Sequence, residues 1–236
     1  MKKYKRVILK LSGEILAGGK KFGFDQNVLE RISQEIKMAK STGTEIGIVI
    51  GGGNFWRGSE EKIKGLNRVT SDYMGMLATI LNACVLQSSF EKYGMKTVIQ
   101  SAIPVEKICE PYIPHLADRE LKNGKILIFA GGTGNPYFTT DTTAALRAVE
   151  LNANCMLKAT KVDGVYTDDP IRNPKAKKFT TLKFIDAIKR NLKIMDITAF
   201  SLCMENKIEV VVFNINKKGN IVKILQGRNI GTIIKV

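Results

Sequence analysis

Three glycine-rich segments of this chain have the composition of phosphate-binding loops. Ser12 and Gly13 follow the apolar run 7–11, the glycines 51–53 follow residues 46–50, and the segment GGTG at 131–134 follows residues 126–130. An apolar run that ends in small residues before a helical pattern is typical of a parallel strand feeding a helix. Backbone N–H groups exposed at such junctions favour phosphate. Three junctions in one chain predict an anionic site along one sheet edge, and hence phosphoryl chemistry.

Charged residues accompany these loops. Lys10 and Lys158 end two apolar runs, and a lysine there is costly unless it meets an anion or reaches solvent. Lys10 therefore either bridges phosphates or is an edge lysine with its ammonium in water. Arg57 suits bidentate phosphate contact, although a surface arginine fits the same pattern. Asp141 opens a helix as a plain N-cap, as an anchor for Mg²⁺, or as a carboxylate that orients the lysines.

Familiar phosphate motifs do not match. A Walker A loop needs G-x-x-x-x-G-K-[ST], but the nearest window begins at Glu14, and Lys20 is followed by Lys21. Tyr137 and Trp56 occupy the positions where a dinucleotide fingerprint needs its third glycine. The sequence therefore excludes a P-loop kinase and a Rossmann dehydrogenase.

Composition narrows the class further. The 236 residues include one histidine and four cysteines without a C-x-x-C pair, so we expect neither a zinc site nor a histidine-based triad. We expect no signal peptide and no membrane span. The net charge of +15 raises nucleic-acid binding as a hypothesis, but the basic residues are spread over the chain, which makes it at most a secondary property.

Predicted strands and helices alternate throughout. Strands are predicted at 7–11, 45–50, 96–101, 125–130, 155–159, 209–213 and 231–235. Helices are predicted at 25–40, 70–93, 141–151, 182–190, 199–206 and 219–225, and irregular or short helical pieces at 104–121. This pattern favours one α/β domain over residues 1–236, a three-layer αβα sandwich with a central, mostly parallel sheet. In the longest helix we expect one buried face, formed by Met74, Leu77, Ala78, Leu81 and Val85.

The motifs together resemble the amino-acid-kinase superfamily, most closely its bacterial uridylate (UMP) kinase branch, over nearly the whole chain. The matching blocks are residues 10–14, 51–58, the region of Asp72, 132–141 and 158–170. The segments TGNPYFTTD at 133–141 and KATKVDGVY at 158–166 are specific to that branch. The resemblance implies the amino-acid-kinase fold and reversible transfer of the ATP γ-phosphoryl group to UMP, which gives UDP and ADP in pyrimidine nucleotide biosynthesis.

The resemblance also implies residue roles. Lys10 and Lys158 would stabilise charge during transfer, and Asp141 would organise both lysines. The residues implied to bind ATP are Lys10, Leu11, Ser12, Gly13, Gly53, Arg57, Thr160, Tyr166 and Asp169. The residues implied to bind UMP are Gly52, Asp72, Thr133, Gly134, Asn135, Pro136, Tyr137, Phe138, Thr139 and Thr140. Mg²⁺ would arrive on ATP without direct protein ligands.

Relatives in that branch are typically cytosolic homohexamers, inhibited by UTP and often activated by GTP. The segment associated with the GTP response maps to Gly18, Gly19, Lys20, Lys21, Phe22 and Gly23. Relatives usually carry an acidic residue and another glycine there, so this chain departs from the pattern. An alternative within the superfamily is a kinase for a carboxylate, a carbamate or isopentenyl phosphate, which would not need Asp72 or the 133–140 segment.

Overall fold

The computed structural model describes residues 4–57, 63–170 and 172–236. Its nine strands form one sheet in the order β4-β3-β5-β2-β1-β6-β8-β9-β7. The strands are β1 Arg6–Leu11, β2 Glu45–Ile50, β3 Thr97–Ser101, β4 Glu110–Pro111, β5 Ile126–Ala130, β6 Cys155–Thr160, β7 Thr181–Lys183, β8 Glu209–Asn214 and β9 Thr232–Lys235. All neighbouring pairs are parallel except β8 and β9. β1 therefore lies at the middle of the sheet, between β2 and β6.

Helices cover both faces of the sheet. They are α1 Gly13–Ala17, α2 Gln26–Lys40, α3 Arg68–Lys92, α4 Pro114–Lys122, α5 Thr140–Glu150, α6 Phe184–Lys189, α7 Ile197–Glu205 and α8 Asn220–Leu225. One core contains the buried residues of α1, α2, α3 and α8, and a second core contains those of α4, α5, α6 and α7. The predicted three-layer α/β arrangement with a mostly parallel sheet is confirmed.

Strand alternation decides which face each strand-end lysine occupies. In β1, Val7 and Leu9 pack into the first core, whereas Ile8 packs into the second, on the α5 side. Side chains two residues apart share a face, so Lys10 projects towards α5 together with Ile8. β6 repeats the pattern, because Met156 packs into the second core and precedes Lys158 by two residues. The sheet thus presents both lysines to the same helix.

The predicted elements exist with shifted ends, and three short ones were not predicted. Those three are α1, β4 and β7. The helix expected over 182–190 begins with β7 and becomes helical at Phe184, because Thr181–Lys183 pairs with the final strand. Asp25 caps α2 as predicted, since its side chain accepts from the N–H of Val28.

The expected buried face of α3 is wrong. Leu77 and Leu81 are 54% and 55% exposed, and Met74 and Val85 are only partly buried. The side chains that α3 buries are Ser71, Met76, Ala78, Thr79, Ile80, Asn82, Ala83, Leu86 and Phe90. Of the predicted face, only Ala78 is buried. The exposed residues Val69, Tyr73, Leu77 and Leu81 follow one another at four-residue spacing, and we call them the α3 stripe.

Among the described helices, α3 is the one whose length and composition would allow a membrane span, with a mean hydropathy of 1.3 in its most apolar window. A core helix of comparable length meets the same criteria. Residues of α3 such as Ile80, Leu86 and Phe90 belong to the first hydrophobic core. Packing against the sheet therefore accounts for much of its apolar composition.

Candidate active site

Lys10, Lys158 and Asp141 form one charged cluster at the middle of the sheet. Lys10 and Lys158 are paired across β1 and β6, and α5 places Asp141 over both. Lys10 Nζ lies 3.1 Å from Asp141 Oδ1, and Lys158 Nζ donates a short hydrogen bond to Asp141 Oδ2. Each of the three side chains is 11–13% exposed. Because Lys10 lies on a central strand beside a carboxylate, the edge-lysine interpretation is wrong.

Burial and neighbouring charges shift the pKa values of Asp141 and Lys158 in this cluster. Burial favours the neutral form of Asp141, but the ammonium groups of Lys10 and Lys158 outweigh it, so the pKa of this carboxyl is lowered below its ordinary 3.8. Burial also lowers the pKa of Lys158, and the charge of Lys10 adds to this, while Asp141 opposes it. One carboxylate thus serves two ammonium groups. The cluster keeps an excess of positive charge that favours a further anion.

Asp141 owes its position to Thr139 and Asp196. Thr139 is the N-cap of α5, because its side chain accepts from the N–H groups of Asp141 and Thr142. The plain N-cap interpretation of Asp141 is therefore wrong. Asp196 accepts from the hydroxyls of Thr139 and Thr142, the latter at 2.8 Å, and its side chain caps α7 through Ala199. Sequence reasoning missed Asp196, whose local pattern indicates only a helix cap.

The first two glycine loops pack directly against each other beside the cluster. The N–H of Gly51 donates to the carbonyl of Leu11 at 2.9 Å. A Cβ on Gly13 would lie 2.7 Å from both Gly51 O and Gly53 N, a distance that no side chain tolerates. Glycine at 13 is therefore required by close backbone approach. Ser12 is the N-cap residue of α1 without a side-chain cap bond.

Arg57 and Leu11 differ in what they can offer a ligand. Arg57 donates to the carbonyl of Gly53 at 3.0 Å and pairs with Glu14 at 3.1 Å, while its side chain stays 39% exposed. Leu11 is fully buried in the first core, so its side chain faces away from any ligand at the loops. Gly58, at the end of the predicted 51–58 block, lies outside the described residues.

A cavity of about 600 Å³ opens on one side of the cluster, and we call it the Tyr166 cavity. Lys158 lines it together with Thr160, Tyr166 and Asp169, so the structure brings these predicted residues together. Thr160 itself donates to the carbonyls of Val162 and Phe213. The segment 190–194, which follows α6, supplies a further wall that sequence reasoning missed.

A second cavity of about 380 Å³ lies between the 51–53 loop, α3 and the start of α5, and we call it the Asp72 cavity. Its predicted lining residues are Gly52, Asp72, Thr133, Phe138, Thr139 and Thr140. Residues of α3 that were not predicted complete it, among them Arg68, Ser71 and Thr79. The cavity reaches Gly53 and Thr140, and Thr140 directly precedes Asp141 of the charged cluster.

The other four residues implied to bind UMP do not line this cavity. They are Gly134, Asn135, Pro136 and Tyr137. Tyr137 has a positive φ of 73°, and its N–H donates to Asp72 Oδ2 at 2.7 Å. Arg68 also donates to both oxygens of Asp72 at 2.8 Å. Asp72 thus ties the third loop to α3.

The segment 18–23 lies beside the phosphate-type loops. A cavity of about 540 Å³ is lined by its first five residues and by Gly53, Arg57 and Lys161. Phe22 stacks edge-on against Phe55 with centroids 5.0 Å apart. The segment therefore contacts the loop that carries Gly53 directly.

Known proteins resemble this chain over most of its length. The amino acid kinase family model matches residues 5–214. The UMP kinase from Bacillus anthracis is 38% identical, with a TM-score of 0.96 over 98% of this chain and 96% of that one. The UMP kinase from Ureaplasma parvum is 36% identical, with a TM-score of 0.93 over 99% and 100%. The uridylate kinase from Archaeoglobus fulgidus is 27% identical, with a TM-score of 0.76 over 99% and 100%.

The geometry and these comparisons agree. A buried cluster with two lysines and one carboxylate contributes Lys158 to one cavity and lies next to Thr140 of the other, which suits the joining of two anionic groups. The chain belongs to the amino acid kinase family and is a phosphotransferase.

Proposed function

We propose that this protein is a UMP kinase that transfers the γ-phosphoryl group of ATP to UMP, reversibly, in pyrimidine nucleotide biosynthesis. The observation that carries the proposal is the position of the cluster of Lys10, Asp141 and Lys158 between two cavities: Lys158 lines the Tyr166 cavity, and the Asp72 cavity extends to Thr140, next to Asp141. The UMP kinase neighbours support the choice of acceptor. We further propose that residues 1–236 act as one domain, since one sheet contains all nine described strands.

ATP would occupy the Tyr166 cavity. Thr160, Tyr166 and Asp169 would surround its adenosine, and Tyr166 offers a ring for stacking on the base. The phosphates would reach the loops of Ser12–Gly13 and Gly53, with Arg57 beside them. Leu11 would contribute only backbone, because its side chain is buried.

UMP would occupy the Asp72 cavity. Asp72 would accept from the ribose hydroxyls, while Gly52 and the 133–140 segment would enclose the phosphate and the uracil. Gly134, Asn135, Pro136 and Tyr137 do not line the cavity here. Their proposed role therefore requires the loop to close over the nucleotide.

Charge stabilisation and positioning would dominate the reaction. The attacking group is a phosphate oxygen of UMP, which is mostly ionised at neutral pH, so a strong general base is not needed. Lys10 and Lys158 would neutralise charge on the transferring group while Asp141 fixes both ammonium groups. Mg²⁺ would enter bound to ATP and neutralise phosphate charge. Asp141 is already paired with both lysines, which fits a metal held by the nucleotide rather than by this carboxylate.

Replacing Asp72 by alanine tests the acceptor site. We expect the KM for UMP to rise about 10- to 100-fold, since hydrogen bonds to a charged group contribute about 1.5–3 kcal/mol, while the KM for ATP stays within threefold. Steady-state kinetics with each substrate varied would measure both. Glu91→Ala, which removes a carboxylate from the far end of the same helix, is the control. A larger change in the KM for ATP than for UMP would place the nucleotides the other way round.

We also propose a homohexamer in which the α3 stripe packs against the same stripe of a second copy. Its four apolar residues at four-residue spacing form one ridge, and a single ridge is self-complementary about a two-fold axis. Leu81→Glu should reduce the molar mass of the assembly in light scattering, because it buries charge in that interface. Ile188→Glu on α6 (43% exposed) is the control. An unchanged mass for Leu81→Glu would argue against this interface.

Regulation and location belong to the same proposal. UTP would inhibit by occupying the UMP site, and the protein would work in the cytoplasm. GTP activation through Gly18, Gly19, Lys20, Lys21, Phe22 and Gly23 is the less supported part, because the segment has the sequence GGKKFG.

A panel of acceptors tests the function itself. ADP release would be followed with UMP, CMP, aspartate, glutamate, carbamate and isopentenyl phosphate, with and without GTP and UTP. We expect UMP to give the highest kcat/KM. Activity with a carboxylate or carbamate but with neither nucleotide would favour the other branches of the family. Salt-sensitive retention of DNA or RNA that is independent of Lys10 would support the nucleic-acid alternative.

A further inference from the structure

Two buried asparagines, Asn54 and Asn82, lie directly beneath the 51–53 loop. They are 2% and 0% exposed. Asn82 Nδ2 donates to Gly51 O at 2.6 Å and to Asn54 Oδ1 at 2.7 Å. Asn54 Nδ2 donates to Asn82 Oδ1 at 2.9 Å and to Gly23 O at 3.0 Å. Each amide group therefore uses both of its N–H donors, and the two side chains form a closed reciprocal pair.

This pair connects three parts of the chain at the point where the glycine loops meet. Asn82 belongs to α3, Asn54 continues the glycine loop, and Gly23 ends the 18–23 segment. The backbone N–H of Gly23 in turn donates to Asn54 O. Asn54 Oδ1 also occupies the space that a Cβ on Gly13 would fill, so it packs against the first glycine loop. A fully satisfied buried polar network has one favourable arrangement, since any loss leaves a buried polar group unpaired.

We propose that Asn54 and Asn82 are positioning residues that hold the 51–53 loop in its phosphate-binding geometry. The proposal rests on the proposed function only for its kinetic consequences. Neither asparagine lines the Tyr166 or the Asp72 cavity, and Asn54 lines the cavity beside the 18–23 segment. Asn82 lines none of these three cavities, so it acts through Asn54 and the backbone of Gly51. Removal of Asn82 leaves the carbonyl of Gly51 without that donor and breaks the bonds in both directions between the two amides.

The only tryptophan of the chain reports on this loop without any assay of activity. Trp56 is half-buried. Its backbone N–H donates to Gly52 O at 3.0 Å, and its ring N–H donates to Ser71 Oγ. Acrylamide quenching of its fluorescence would be compared in the parent protein, Asn82→Ala and Gln87→Ala. Gln87 also lies on α3 and donates to a backbone carbonyl, that of Thr97, but remote from the loop in sequence.

We expect Asn82→Ala to quench at least twofold more strongly than the parent protein, and Gln87→Ala to quench as the parent does. Equal quenching in Asn82→Ala and Gln87→Ala would overturn the proposal. If Asn82→Ala does not fold by circular dichroism, Asn82→Asp serves instead, because it keeps the shape and the acceptor but loses both donors. Acrylamide quenching of Asn82→Asp is then compared with that of Gln87→Ala, and equal quenching would again overturn the proposal.

Kinetics supply a second readout. With UMP and ATP, Asn82→Ala should lower kcat about 10- to 100-fold, since small displacements of positioned groups carry losses of that order, while Gln87→Ala stays within twofold. Asn54→Ala combined with Asn82→Ala should cost little more than either alone, because the pair acts as a unit. A kcat of Asn82→Ala within twofold of the parent would contradict the role. If the parent protein does not phosphorylate UMP, the proposed function is wrong. The quenching comparison would still test the positioning role of Asn54 and Asn82.

Discussion

Replacement of Lys10 by alanine is expected to lower kcat by about 10²–10³, the loss typical of a charge-stabilising donor in a transition state. KM for either nucleotide should change less than kcat, because the phosphoryl charge that Lys10 faces is redistributed during transfer. The fold should persist, since Asp141 keeps its hydrogen bond from Lys158. Steady-state kinetics and a thermal melt of the variant would measure both effects.

Lys5→Ala is the matched control for Lys10→Ala. Lys5 directly precedes the same strand but is exposed and lies at its opposite end, so its removal should leave kcat within twofold. Near-normal turnover of Lys10→Ala would show that the cluster does not take part in transfer. A variant that melts far below the parent would instead indicate a mainly structural lysine.

Replacement of Asp141 by asparagine should affect both activity and stability. It leaves Lys10 and Lys158 side by side without their shared carboxylate, and breaking a buried ion pair on one side costs roughly 3 kcal/mol. We expect kcat to fall on the order of 10², because the ammonium groups lose their fixed position. ATP should raise the melting temperature of the variant more than that of the parent, since phosphates supply the missing negative charge. An equal shift by ATP would contradict this account of Asp141.

The effect of pH on that stability difference has a defined sign. The folded state lowers the pKa of Asp141 below 3.8, so its contribution is fully present above the unfolded value and is lost as pH falls through the folded value. The free energy of unfolding of the parent should therefore exceed that of Asp141→Asn by a constant amount near neutral pH. On the acid side, the difference should shrink only below about pH 4. A difference that already shrinks between pH 7 and pH 5 would refute this assignment.

The sequence was most informative about groups whose position follows from one element. Lys10 and Lys158 both end apolar strands before loops, and strand alternation alone places each on a definite face. Their pairing across β1 and β6 requires the strand order, which no local pattern contains. Asp196 shows the same limit, because its cap signal is local while its bonds to Thr139 and Thr142 join residues more than 50 positions apart.

The long helix shows where periodicity misleads. α3 is apolar on two sides, since one face packs into the core and the stripe of Val69, Tyr73, Leu77 and Leu81 is exposed. Periodicity identifies an apolar face but not which of two faces is covered by the same chain. The choice of Leu77 and Leu81 as core residues failed for that reason. The wall of the Tyr166 cavity formed by residues 190–194 could not be predicted from the sequence either, because it depends on long-range packing.

The most direct test of the central claim is ³¹P NMR of the protein incubated with ATP, Mg²⁺ and UMP. The account predicts that the UMP resonance is replaced by the two resonances of UDP while ATP is converted to ADP in equal amount, and that Lys10→Ala slows both changes together. Release of inorganic phosphate from ATP while UMP stays unchanged would contradict transfer between two nucleotides at the cluster of Lys10, Asp141 and Lys158.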